Sequence, residues 1–157
     1  ERESVTEALT ELRTKVERVE TAAIAEFNDR MSELLEILDY GNIARIWIER
    51  REQAETEFHL HVVRSDRSGT AYEDTIDHLS ESEREVTGLV FALAGYLVHE
   101  VGETVPFMLL DSVEALDGDR IARLVEYFKA HVPYLVVALL PGDAQALDDQ
   151  YPRITEI

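Results

Sequence analysis

The chain has 157 residues, room for one domain with a sizeable core. It carries 33 acidic against 15 basic residues, a formal charge of −18, and no cysteine. That composition excludes disulfides and thiolate metal sites, suits a reducing, cytoplasmic compartment, and opposes direct binding to phosphate backbones.

No apolar run reaches about 18 residues without a charge and no signal peptide opens the chain, so no membrane partner is expected. The first residue is Glu1, not Met, as in an excerpt or a processed product. Lys15 and Lys129 are the only lysines. A lysine-poor, acid-rich surface is one that halophiles use to stay soluble in concentrated salt; an ordinary acidic protein is the competing explanation.

Residues 1–39 read as one helix without Pro or Gly. Val5, Leu9, Leu12, Val16, Val19 and Ala23 step by 4, 3, 4, 3, 4, the seam of a coiled coil. The pattern then slips to steps of four at Phe27 and Met31 before Leu34 and Leu38. Such a stutter unwinds a supercoil locally, as expected where an arm leaves its partner and packs on a globular body. The alternative is a single amphipathic surface helix, but at roughly 55 Å it would overhang so small a domain. A partner helix is therefore expected on its distal end. Gly41 is the expected C-cap.

Ile43, Ile46, Trp47 and Ile48 predict a strand, and Phe58, Leu60 and Val62 alternating with His59 and His61 predict a second. Asp66-Arg67-Ser68-Gly69 is a turn. His59 and His61 share a face, but with no third ligand at a recognisable spacing a metal site is not expected. Arg45, Arg50, Arg51, Arg64 and Arg67 are the one local basic excess. Edge-strand gatekeepers and DNA contact explain them equally well.

Residues 86–98 are nearly all apolar, with Val86, Leu89, Val90, Leu93 and Leu97 at helical spacing. Ser80 and Glu83 form an S-x-x-E capping box in front of them. Residues 105–110, a helix over 118–130 with Asp117 as N-cap, and residues 134–140 predict a β-α-β unit. Both strands are continuous apolar runs, as parallel strands covered on both faces should be. Asp111 then falls at a strand's carboxyl end, where open α/β sheets bind ligands. A short helix is expected over 143–151 and a last strand over 153–157.

Leu79-Ser80-Glu81-Ser82-Glu83-Arg84, then Phe107-Met108-Leu109-Leu110-Asp111-Ser112, then Ala115-Leu116-Asp117, resemble in order and spacing the L-S-G-G-E, apolar-D-E and A-L-D motifs of one family. These belong to the ATPase heads of SMC (structural maintenance of chromosomes) proteins and their repair relatives, and the variants here are most similar to archaea-specific SMC-related proteins. The resemblance implies an α/β fold, the C-terminal half of an ABC-type P-loop ATPase head with a coiled-coil helix and a small antiparallel β patch. Residues 1–40 would be the arm root and 41–157 the C-terminal lobe.

It further implies that Asp111 holds Mg2+ through water. Ser80, Ser82, Glu83 and Asp117 would lie at an ATP bound across a head–head homodimer. Helix N-termini bind anions, which suits Ser80. No glycine-rich loop ends in Lys-Ser/Thr here, so the phosphate cradle must come from an N-terminal lobe of the same parent chain, leaving this piece half an ATPase site and inactive alone. DNA would be met only through the whole complex.

The departures from the family pattern carry their own expectations. Glu81 and Ser82 replace two glycines that let backbone approach phosphate. Ser112 replaces the glutamate that activates water, and the histidine after the next strand falls at Leu140 or Pro141. The stretch 111–117 is a residue shorter than in the family. Hydrolysis is therefore expected to be degenerate, with Glu114 the available substitute base. A module from another class also fits the sequence: a non-catalytic dimerisation and interaction unit in which nucleotide binding has decayed.

Overall fold

The computed structural model describes residues 2–52, 56–66 and 68–155. Arg67 of the expected turn, and residues 156–157 of the expected last strand, lie outside them. The first helix, α1 (Arg2–Leu38), runs unbroken because nothing in it breaks a helix. The seam residues Val5, Leu9, Leu12, Val16 and Val19 are all more than half exposed. Met31, Leu34 and Leu38 are fully buried. The slip in the heptads thus falls where the helix changes from a free seam to a packed face.

Two long strands follow, β1 (Ile43–Glu52) and β2 (Thr56–Ser65), antiparallel with Ile46 opposite Val62 and Trp47 opposite His61. A third, β3 (Ala71–Asp74), pairs with β2. Its four residues are too few for a legible alternation, and it was not expected. Ile46 and Val62 turn inward to full burial against the helices. The free edge of β1 lies along α1. There Asn28 donates to Ile48 O at 3.0 Å and accepts from Ile48 N at 2.7 Å, satisfying groups that an open edge would expose.

The apolar helix is α2 (Glu81–Val98), followed after a left-handed Glu100 by a one-turn helix, α3 (Val101–Thr104), that the sequence did not announce. The β-α-β unit is β4 (Phe107–Leu110), α4 (Gly118–Phe128) and β5 (Tyr134–Val137), with the strands parallel and Phe107 opposite Tyr134. Ile121, Leu124 and Phe128 of α4 join Met31, Leu34, Val86 and Val90 in one core.

The structure corrects several expectations. α1 ends at Leu38, and the left-handed residue that closes it is Asp39 (φ 48°), not Gly41. β5 stops at Val137 because its only partner among the described residues, β4, has four residues to offer, although Ala138 N still donates to Leu110 O at 2.8 Å. The helix expected over 143–151 is a single 3-10 turn, Asp143–Ala146. Beyond it Asp148 accepts from Gln150 N through its side chain and from Tyr151 N through its carbonyl, holding a turn where a helix would need a clean N-terminus.

Residues 153–155 form no strand; Arg153 instead folds back on Leu147 O and Asp149. The parallel strands are also not covered on both faces by the described residues. Met108 and Leu110 face the core, while Phe107, Leu109, Tyr134 and Val136 lie exposed on the other side. Met108 and Leu110 share one core with residues of α1, α2 and α4.

Candidate functional site

At the start of α2, Ser80 takes extended backbone angles (φ −62°, ψ 164°) and forms the expected capping box. Its hydroxyl accepts from Glu83 N at 3.4 Å and donates to Glu83 Oε2 at 2.7 Å, while Ser80 N donates to the same oxygen at 2.9 Å. Ser82 Oγ lies 3.4 Å from Ser80 Oγ, and both serines are exposed. Glu83 is the opposite: it is 2% exposed and turned inward.

Its second oxygen accepts from Arg64 of β2 at 2.9 Å, and Arg64 also donates to Asp74 of β3 at 3.0 Å. Asp74 in turn meets His78 at 2.9 Å. Burial pushes the Glu83 carboxyl up, but the hydroxyl and amide of Ser80 and the Arg64 guanidinium outweigh it and hold it below its usual range. Arg64 and then His78 hold Asp74 below its range as well.

The second group of site residues shares one loop. Asp111 stands exposed at the carboxyl end of β4, its Oδ1 accepting from Ser112 N at 2.9 Å. Ser112 sits in the left-handed region (φ 57°). Val113 and Leu116 are buried and joined by a 3.0 Å turn hydrogen bond, so they anchor the loop, and Glu114 stands exposed at its tip. Asp117 caps α4, accepting from Arg120 N at 3.0 Å, and pairs with the Arg120 side chain. No hydrogen bond joins this loop to the Ser80 group among the described residues.

Asp111 offers an exposed carboxylate with one oxygen engaged by a backbone amide. That fits Mg2+, which takes one or two carboxylates and fills its shell with water and phosphate oxygens. The ion would supply charge neutralisation at those phosphates. Among the described residues no group of three or more His, Cys, Asp or Glu could hold a metal by itself. His59 meets Glu57 at 3.0 Å; His61 stacks on Trp47 and lies between Glu49 (3.1 Å) and Glu73 (2.5 Å).

The arginine excess of the β patch is largely spent within the fold. Arg50 pairs with Glu20 and Glu52, Arg51 with Glu49, and Arg64 as above, while Arg45 lies over the Trp47 ring. Arg64 and Arg120 are the residues that the sequence concealed. Each acts across elements far apart in the chain, and neither falls in a motif.

No protein-family model matches the chain. It is 57% identical over 152 residues to the Smc-like protein Sph3 of Haloferax volcanii, covering 91% of this chain and 23% of that protein. It is 58% identical over 148 residues to the Smc-like protein Sph2 of Halobacterium salinarum, covering 86% and 22%. The chain thus spans under a quarter of the length of these relatives.

Among solved structures it superposes on an Smc head domain with an extended coiled coil, bound to the C-terminal domain of ScpA, from Pyrococcus furiosus, with a TM-score of 0.62 at 20% identity over 93% of this chain and 36% of the other. A structure from work on ATP-driven dimerisation and DNA-stimulated activation of SMC ATPases matches with a TM-score of 0.58 at 19% identity, over 84% and 78%. The chain has the fold of an SMC ATPase head, with a long N-terminal helix and a small antiparallel sheet. More particularly, it is a homologue of the Smc-like proteins Sph2 and Sph3 of halophilic archaea.

Proposed function

We propose that this chain is the C-terminal lobe and arm root of an SMC-related ATPase head that serves chromosome maintenance or DNA repair. It contributes the signature helix and the Walker B carboxylate to a composite ATP site. The observation that carries this reading is the half-covered parallel pair. Phe107, Leu109, Tyr134 and Val136 form an exposed apolar sheet face, and Asp111 stands at the carboxyl end of the same strand. An N-terminal lobe bearing the phosphate loop would cover that face and complete the site in one step.

In this reading Asp111 holds Mg2+, and Ser80, Ser82 and Asp117 face the nucleotide of a second head. ATP acts mainly as a clamp, because Ser112 provides no base. Ser80 would exchange its Glu83 acceptor for a phosphate oxygen. The exposed seam of α1 takes a partner helix. DNA is met through the assembled complex, since Arg50, Arg51 and Arg64 of the β patch are already paired with carboxylates. No helix among the described residues is long and apolar enough to cross a membrane.

The residues 1–157 alone are expected to show no ATP binding by calorimetry, and the full-length chain to form head dimers with Mg-ATP that Ser80→Arg abolishes without unfolding. Micromolar ATP affinity in the isolated lobe would contradict the half-site. Full-length chains that never dimerise with ATP would favour the other reading, a non-catalytic dimerisation module. The engagement of Ser80 and Glu83 with each other is the observation on that side.

The kinship with proteins of halophilic archaea bears on the −18 charge. If the acidic surface is adapted to salt, the melting temperature should climb as KCl rises through molar concentrations, because self-repulsion is screened over about 3 Å at 1 M. A melting temperature that is flat or falls with KCl would reject that adaptation.

A further inference from the structure

Arg120 lies in the first turn of α4 and sends its guanidinium in two directions. Nε donates to Leu38 O at 2.8 Å and Nη2 to Asp39 O at 2.9 Å. These carbonyls close α1, where the left-handed turn at Asp39 ends the helix and leaves its last acceptors without intrahelical partners. A cation is favoured at that end of a helix. Nη1 donates to the Asp117 carboxylate, whose other oxygen caps α4. The guanidinium lies 5.6 Å from the centre of the Tyr40 ring, so a residue two positions past the helix flanks it on one side. Arg123 adds a longer contact to the Asp39 carboxylate, at 3.8 Å.

Two chain segments some eighty residues apart therefore meet on one planar fork. A lysine could serve one of them at a time, because a single ammonium on a flexible stem has no fixed second arm. We propose that Arg120 is a positioning residue that ties Asp117 to the root of the arm helix, so that the direction of α1 and the placement of Asp117 are set together. The inference rests on the composite-site reading, in which Asp117 faces a nucleotide held across two heads. Asp117 drawn toward that interface gives up Nη1; the guanidinium then stays on the Leu38 and Asp39 carbonyls but is no longer anchored to the start of α4 through Asp117, so the angle between α1 and α4 is less tightly fixed. By linkage, a change of arm direction must bias Asp117 to the same extent.

The experiment uses the full-length chain with a spin label at Arg18, on the exposed part of α1, and reads label-to-label distance in the head dimer with and without Mg-ATP. Light scattering reports dimer formation in parallel. ATP is expected to shift the distance in the parent chain. In Arg120→Gln dimers should still form, but the shift should be lost; Arg120→Lys should restore only part of it. A purely structural Arg120 would lower the melting temperature and leave the shift intact, and that result overturns the inference.

If Arg120→Gln does not fold, Arg120→Lys, which keeps the charge but not the fork, carries the test: its ATP dimers must show a clearly reduced shift, and a full shift overturns the inference. Absence of ATP-driven dimers in the parent chain would overturn the composite-site reading and this inference with it. Dimers with a normal arm shift in the variants would overturn only the Arg120 bridge.

Discussion

Ser112→Glu in the full-length head is expected to raise ATP turnover by about 10²–10⁴-fold, the usual contribution of a general base. In the composite-site reading Asp111 remains the Mg2+ carboxylate in parent and variant alike, and Ser112 beside it offers no carboxylate to polarise water. The parent head should therefore bind ATP, close, and stay closed for long periods. The backbone at position 112 is left-handed (φ 57°), an arrangement that costs any residue with a Cβ about 1–2 kcal/mol. Serine already carries that cost, so a glutamate adds little to it and inherits a fixed direction for its side chain.

The decisive measurement is the lifetime of the ATP-bound head dimer in the parent chain. If the parent already hydrolyses ATP as fast as heads with an intact Asp-Glu pair, Ser112 is not the lesion. Glu114, exposed at the tip of the same loop, then becomes the base to test. If turnover rises in Ser112→Glu and falls again in the double variant with Asp111→Asn, the two positions act on one metal-bound phosphate.

Glu83→Ala should destabilise the lobe by about 2 kcal/mol, the cost of a lost helix cap and its charged hydrogen bonds, with a melting temperature lower by about 6 °C. The carboxylate is 2% exposed and accepts from Ser80 N, Ser80 Oγ and Arg64. Its removal leaves Arg64 with Asp74 alone and opens the first turn of α2. Ser82→Ala, on the exposed side of the same turn, should change stability by less than about 0.5 kcal/mol. Urea unfolding of the two variants side by side checks the contrast; equal effects would show that Glu83 is an ordinary surface cap.

The pH dependence follows from the same contacts. Glu83 and Asp74 are both held below their usual range in the folded chain. Their contribution is complete above the unfolded values near ~4.3 and ~3.9 and is lost as pH falls through the lower, folded values. Glu83→Gln should therefore flatten the loss of stability on acidification below about pH 4. A profile identical to that of the parent would remove Glu83 from the linkage.

The site was legible in unequal parts. The capping box at Ser80 and Glu83 and the N-cap at Asp117 are contacts within three residues, and residues that close in sequence constrain one another before any tertiary packing exists. Arg64 was visible only as one of several arginines. Its partners are Asp74, ten residues on, and Glu83, nineteen residues on, and the strand register that brings them together depends on a β3 too short to read.

Periodicity and motif order were enough to establish the long N-terminal helix, the slip at Phe27, the apolar helix after Ser80, the β-α-β order and the kinship with Smc-like proteins. Each is carried by local spacing, and local spacing survives whatever the rest of the chain does. Packing settled which side of each element found a cover. The apolar runs at 107–110 and 134–137 look alike on both faces, and only the arrangement of helices shows that Met108 and Leu110 are buried while Phe107 and Leu109 are bare. It also settled how α1 stops. Asp39-Tyr40-Gly41-Asn42 are weak helix formers, so an end near residue 39 was legible, but the left-handed turn falls at Asp39, where Arg120 reaches back from α4 to the Leu38 and Asp39 carbonyls.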